Sequence, residues 1–145
     1  MNTLAMITAF ALLLASRPDG FGKVNNSAAA LAGEWTCLAA VINGKALSDT
    51  AVKKLRLTMT RDRYKTERSD EVLFDSTYRL DDTRTPNQIT LLGTEGDLIG
   101  KEALGIVSLS DDILIICYVM PGQPRPISFQ SSPGSEAYLV VWKRR

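Results

Sequence analysis

Apolar and polar side chains alternate with a period of two along much of the chain after residue 31. In LRLTMT, residues 55–60, Leu55, Leu57 and Met59 share one face and the polar residues share the other. Successive side chains of a strand point to opposite faces, so this pattern predicts a half-buried strand. The same alternation recurs in VLFDSTYRL, 72–80, whereas ILIICYVM, 113–120, is apolar on both faces and predicts a central strand.

Turn-forming residues separate these segments, among them Asn43-Gly44 and Pro86. We expect one short helix in LSDTAVKKL, with Ser48 or Asp49 as its N-cap, and Gly105 indicates a bulge or a bend. The predicted strands, with a short extended piece at 127–130, cover 34–42, 55–60, 63–68, 72–80, 88–93, 102–110, 113–120 and 137–144.

Eight or nine short strands with near-neighbour connections favour a meandering antiparallel sheet. A sheet of this length hides its edges by closing, and about eight strands close into a barrel that holds side chains or one small ligand. We therefore predict an all-β, antiparallel up-and-down barrel of about eight strands with one short helix. A β-sandwich is the alternative.

Closure requires the first strand to meet the last strand. If they pair antiparallel, Trp35 lies beside the end of the chain and plugs one end of the barrel, with Lys143 or Arg144 over its indole ring. Such a cation–π contact contributes on the order of 0.5–2 kcal/mol. The alternative is an ordinary core tryptophan with solvated C-terminal cations.

Inward-facing side chains give the candidate ligand site. They form either an apolar pocket, oriented by Tyr78 and Ser76, or simply the filling of the barrel. The predicted lining residues are Trp35, Leu55, Leu57, Met59, Phe74, Tyr78, Ile89, Leu91, Val107 and Phe129.

Composition narrows the function classes. The chain of 145 residues contains no histidine and two cysteines, so neither a histidine-based catalytic pair nor a cysteine-only zinc site can form within it. Lys and Arg number 17 against 16 Asp and Glu, and this balance does not favour nucleic-acid binding. We expect a protein that is not an enzyme and that uses no metal or cofactor.

Three further groups of residues each allow a functional and a structural interpretation. Cys37 and Cys117 lie on different predicted strands, and we favour two buried free thiols over a disulfide. The pairs Asp81-Asp82 and Asp111-Asp112 are interpreted as turn formers. The basic residues between Lys53 and Arg68 are interpreted as a solvated exterior rather than an anion-binding face.

The N-terminal sequence is typical of a targeting segment. Residues 4–15 carry no charge and have the length of a signal-peptide core, too short to span a bilayer comfortably. The following stretch is rich in Gly, Asn, Ser and Ala. We expect a signal peptide at 1–16, a linker at 17–30 and one domain at 31–145, exported and without a membrane span after signal removal.

Stretches along the whole domain resemble an uncharacterised lipocalin-like family that is abundant in planctomycete bacteria. They include LAGEWTCLAAVINGKAL, VKKLRLTMTRDRY, STYRLDDTRTPNQITL, TEGDLIGKEALGIVSLSDDILIIC, PGQPRPISFQSSPGS and LVVWKR. The resemblance implies a lipocalin-type barrel in which Trp35 and Arg144 are structural residues, and it implies no established activity. We expect binding of a small apolar or amphipathic ligand. The alternative is a filled-core structural or protein-interaction module of the cell envelope.

Overall fold

A computed structural model describes residues 27–145, apart from the side chain at position 97. The predicted signal peptide and residues 17–26 of the predicted linker lie outside this range. Two short helices, α1 (Ala28–Leu31) and α2 (Asp49–Lys53), and a 3₁₀ turn (Gly96–Leu98) accompany the strands. The strands are β1 (Gly33–Ile42), β2 (Lys45–Ala46), β3 (Leu55–Met59), β4 (Arg63–Arg68), β5 (Glu71–Asp81), β6 (Asn87–Gly93), β7 (Glu102–Ser110), β8 (Ile113–Val119) and β9 (Ala137–Arg144).

The sheet closes into the predicted antiparallel barrel. Each strand from β3 to β9 pairs with its neighbour in sequence, β1 pairs with β3, and β1 also pairs with β9. Eight strands therefore form the barrel, and the two-residue strand β2 only extends the margin of β1. In the closing pair Trp35 faces Arg144 and Thr36 faces Lys143. The up-and-down barrel prediction is confirmed.

A serine side chain caps the N-terminus of each helix. Ser48 is the N-cap of α2, and its hydroxyl accepts a hydrogen bond from the Ala51 N–H at 3.2 Å. Helix α1 differs from the prediction, which assigns residues 28–30 to the linker. Ser27 caps α1 in the same way, and the buried Leu31 at its end anchors the helix against the barrel.

Gly105 does not mark a bulge. Strand β7 pairs without interruption on both of its sides, and register shifts occur instead between Cys37 and Ala39 and between Thr66 and Glu67. A Cβ at position 105 would lie 2.7 Å from the Cys117 carbonyl oxygen. Glycine is therefore required here by the close approach of neighbouring atoms.

The barrel wall separates two apolar clusters. The inner cluster fills the barrel, and a second cluster covers the outer face of β1, β7, β8 and β9. A strap of residues 121–136 lies over this outer face. Arg125 fastens the strap by donating to the carbonyl oxygens of Ile89 at 2.9 Å and Gly105 at 2.8 Å.

Phe129 belongs to the strap and packs in the outer cluster, so its predicted place in the barrel interior is wrong. Residues 127–130 form no strand, and the alternation rule therefore cannot assign their faces. The buried Phe129 side chain covers outward-facing residues of the barrel wall instead, and these include Ile115 and Leu139.

Candidate functional site

One end of the barrel is closed around Trp35. The indole ring is fully buried, and its Nε1 donates to the Leu31 carbonyl oxygen at 3.1 Å. The Arg144 guanidinium lies 4.3 Å from the ring centroid and donates to the carbonyl oxygens of Ala30 at 2.7 Å and Ala32 at 2.9 Å. The prediction of an indole plug with a cation over it is confirmed, and the cation is Arg144 rather than Lys143.

The half of the barrel next to Trp35 is packed with side chains. Leu57, Met59 and Val107 are each 2% exposed or less and belong to the inner cluster. Tyr78 is also buried there, and its hydroxyl donates to the Thr60 carbonyl oxygen at 2.6 Å. In this half the predicted lining residues act as core, which is the structural alternative given above.

The other half of the barrel contains a cavity of about 360 Å³. It lies among the ends of β1, β4 and β8 and the beginnings of β3, β5 and β9, away from Trp35. The 3₁₀ turn and α2 each contribute a lining residue, Leu98 and Ala51. The lining side chains are Ala40, Ile42, Leu47, Ala51, Leu55, Tyr64, Thr66, Arg68, Leu73, Phe74, Leu98, Tyr118, Met120, Tyr138, Val140 and Trp142.

Aromatic rings form a continuous group in this cavity wall. Tyr118 and Tyr138 stack with ring centroids 5.0 Å apart and planes inclined by 10°. Phe74 lies nearly parallel to Tyr118 at 6.4 Å, and Tyr64 meets both of these rings edge-on at 6.3 and 6.5 Å. Of the predicted lining residues, only Leu55 and Phe74 lie at this cavity.

Two buried donors of the cavity wall have no hydrogen-bond partner among residues 27–145. They are the Tyr64 hydroxyl and the Trp142 indole N–H, on side chains that are 0% and 2% exposed. Burying a polar group without a partner costs roughly 1–3 kcal/mol. Such groups in a pocket wall are characteristic of sites that orient a ligand.

The inner end of the cavity, where Tyr64 and Trp142 lie, carries no charged side chain. Burial raises the pKa of Tyr64 and of Tyr118 well above the ordinary value, so both phenols keep their protons at physiological pH. Among the lining residues only Arg68 is charged, and its guanidinium forms an ion pair with Glu71 at 2.9 Å. The inner wall therefore presents neutral hydrogen-bond donors.

The two cysteines are free thiols, as predicted. Cys37 belongs to the inner cluster and Cys117 to the outer cluster, so the barrel wall separates them. Burial raises the pKa of Cys37 to about 12 and that of Cys117 to about 11. Both groups are thiols rather than reactive thiolates near neutral pH.

The remaining polar groups singled out in the sequence are structural. Asp111 has a φ of 54° in the turn before β8. Asp81 accepts hydrogen bonds from the Thr83 N–H and hydroxyl, which lower the pKa of the Asp81 carboxyl. Arg63 and Arg68 are about half exposed and form ion pairs with Asp75 and Glu71, in agreement with a solvated exterior.

Residues 27–145 contain neither a metal-ligand cluster nor a helix that could span a membrane. No three or more His, Cys, Asp or Glu side chains of these residues come together as a group that could hold a metal ion. No helix in the described part of the chain is both long and apolar enough to cross a membrane.

Comparison of the chain with protein-family models, with curated proteins and with solved structures gave no match. The cavity and the sequence stretches given above are therefore the features that indicate a function.

Proposed function

We propose that this protein is an exported, lipocalin-like binding protein that holds a small apolar or amphipathic ligand in the open half of its barrel. The observation that carries the proposal is the cavity of about 360 Å³, which is within the usual range for small-molecule sites. Its lining is mainly aliphatic and aromatic, and burial of apolar ligand surface there contributes roughly 25 cal/mol per Å².

The asymmetry of the barrel supports a ligand site rather than a uniformly filled core. Trp35, Leu57 and Met59 close and fill one half, whereas the other half keeps its space among aromatic rings. No reaction is assigned to the cavity, because burial keeps the Tyr64 and Tyr118 phenols protonated and no nucleophile–base pair lies among its lining residues.

Native mass spectrometry of the protein purified from its own host tests the proposal most simply. We expect a bound lipid or other small apolar molecule, whose mass would identify the ligand class. A ligand-free protein that also fails to bind an apolar dye such as N-phenylnaphthylamine would instead favour the filled-core structural or interaction module of the cell envelope.

A pair of variants tests whether the dye binds inside the barrel. Ala40 is buried and lines the cavity, whereas its neighbour Ala39 packs against the outer cluster. Ala40→Phe should fill the cavity and abolish dye binding, and Ala39→Phe should leave binding intact. Equal binding by both folded variants would contradict a site in the cavity.

Export is a separate part of the proposal and has a separate test. Intact-mass measurement of the protein from its host should show cleavage close to Ala15 or Ser16. An uncleaved chain that remains inside the cell would contradict export and would leave the binding proposal standing.

A further inference from the structure

The inner end of the cavity carries a more specific signal than its apolar lining. Tyr64 and Trp142 project from β4 and β9, and each has a donor without an acceptor among the described residues. Tyr78 provides the contrast within the same barrel, because its hydroxyl has the Thr60 carbonyl oxygen as a partner at 2.6 Å. The unpartnered donors are therefore specific to the cavity half.

The two donors lie on neighbouring parts of the wall. Tyr64 lies close enough to Cys37 on β1 that a charge on the thiol sulfur would raise the pKa of the phenol. Cys37 is the partner of Trp142 in the β1–β9 pairing, so their side chains lie next to each other on the inner face. The phenol on β4 therefore reaches towards the part of the wall that holds the indole N–H.

The charges around the cavity select the kind of acceptor. None of the lining residues other than Arg68 is charged, and Arg68 is about half exposed and paired with Glu71. A carboxylate or phosphate at the inner end would lose its hydration without gaining a cation, which is costly. A neutral carbonyl oxygen accepts hydrogen bonds and avoids that loss.

We infer that the ligand is an uncharged apolar molecule with a carbonyl-type acceptor, such as a ketone, ester or quinone. The carbonyl group enters the cavity first, and its oxygen accepts hydrogen bonds from Tyr64 and Trp142. The stacked rings of Phe74, Tyr118 and Tyr138 favour a flat ligand body. This inference depends on the proposed function and makes it more specific.

The test compares indanone with indane, two flat bicyclic molecules that differ by one carbonyl group. Their dissociation constants are measured by displacement of N-phenylnaphthylamine from the natural protein and from Tyr64→Phe. We expect Tyr64→Phe to lower the preference for indanone over indane by roughly three- to tenfold, the size of one hydrogen bond. Tyr138→Phe is the matched control, because Tyr138 lines the same cavity but is only partly buried, and it should keep the preference.

Ligand-free stability gives a second readout. Removing an unpartnered buried hydroxyl relieves a desolvation cost, so Tyr64→Phe should raise Tm, whereas Tyr78→Phe should lower it through loss of the bond to Thr60. An unchanged indanone preference in Tyr64→Phe overturns the inference, as does a lowered Tm, which would mean that the hydroxyl already has a partner. If the natural protein binds neither indane nor the dye, the proposed function itself fails.

Discussion

The closed end of the barrel depends on one side chain, and replacing Arg144 with methionine removes its charge while keeping most of its length. The guanidinium lies 4.3 Å from the Trp35 ring centroid and donates to two carbonyl oxygens, those of Ala30 and Ala32. It also approaches the Asp112 carboxylate at 3.4 Å. It therefore joins β9, β1 and α1.

The expected cost follows from these contacts. A cation–π contact contributes about 0.5–2 kcal/mol, and each hydrogen bond from a charged donor about 1.5–3 kcal/mol. The side chain of Arg144 is 31% exposed, so water replaces part of what is lost. We expect Arg144→Met to lower the free energy of unfolding by about 3 kcal/mol and Tm by roughly 10 °C.

Urea denaturation followed by circular dichroism measures the effect, with Lys143→Met as the control for loss of a neighbouring, exposed cation. Arg144→Lys should fall between the natural protein and Arg144→Met, since lysine keeps the charge but lacks the planar fork. If Arg144→Met costs no more than Lys143→Met, the role assigned to this residue in closing the barrel is refuted.

Three more predictions concern the wall and its buried groups. Gly105→Ala should destabilise the barrel by about 1–3 kcal/mol in the same denaturation assay, because its Cβ would overlap the Cys117 carbonyl oxygen, and a neutral result would contradict the close approach. At pH 8 iodoacetamide should alkylate Cys37 and Cys117 on the order of 100-fold more slowly in the folded protein than in urea, because burial raises the pKa of both thiols to about 12 and 11; equal rates would refute their burial. Burial also raises the pKa of Tyr64 and Tyr118, so the folded state holds these protons and both thiol protons more tightly than the unfolded chain. The stabilisation from these four protonated groups is therefore fully present below about pH 9, the ordinary pKa of a thiol, and is lost as the pH rises above that value. A Tm that stays constant from pH 9 to 11.5 would contradict this sign.

Local patterns were sufficient to predict the barrel. The alternation of Leu55, Leu57 and Met59 identified β3, and the last strand was predicted at 137–144, where it lies. The pairing of Trp35 with Arg144 followed from closure, because an antiparallel first and last strand must bring these residues together. These features depend on strand period and chain direction alone.

The position of the cavity could not be predicted in the same way. Tyr64 and Thr66 alternate with the charged residues of β4, and this pattern indicates their inward direction, which their burial in the structure confirms. Whether an inward side chain fills the core or borders a space depends on its height in the barrel, which is set by the stagger of all eight strands. Phe129 was misplaced for a different reason, since it lies in a strap without a repeating pattern.

The central claim is that the space beside Trp142, and not the end closed by Trp35, receives the ligand. The chain has two tryptophans, so Trp35→Phe and Trp142→Phe each leave one fluorescent reporter. Titration with indanone should quench the emission of Trp142 to saturation and leave that of Trp35 nearly unchanged, because only Trp142 lines the cavity. Saturable quenching of Trp35 without quenching of Trp142 would contradict the account.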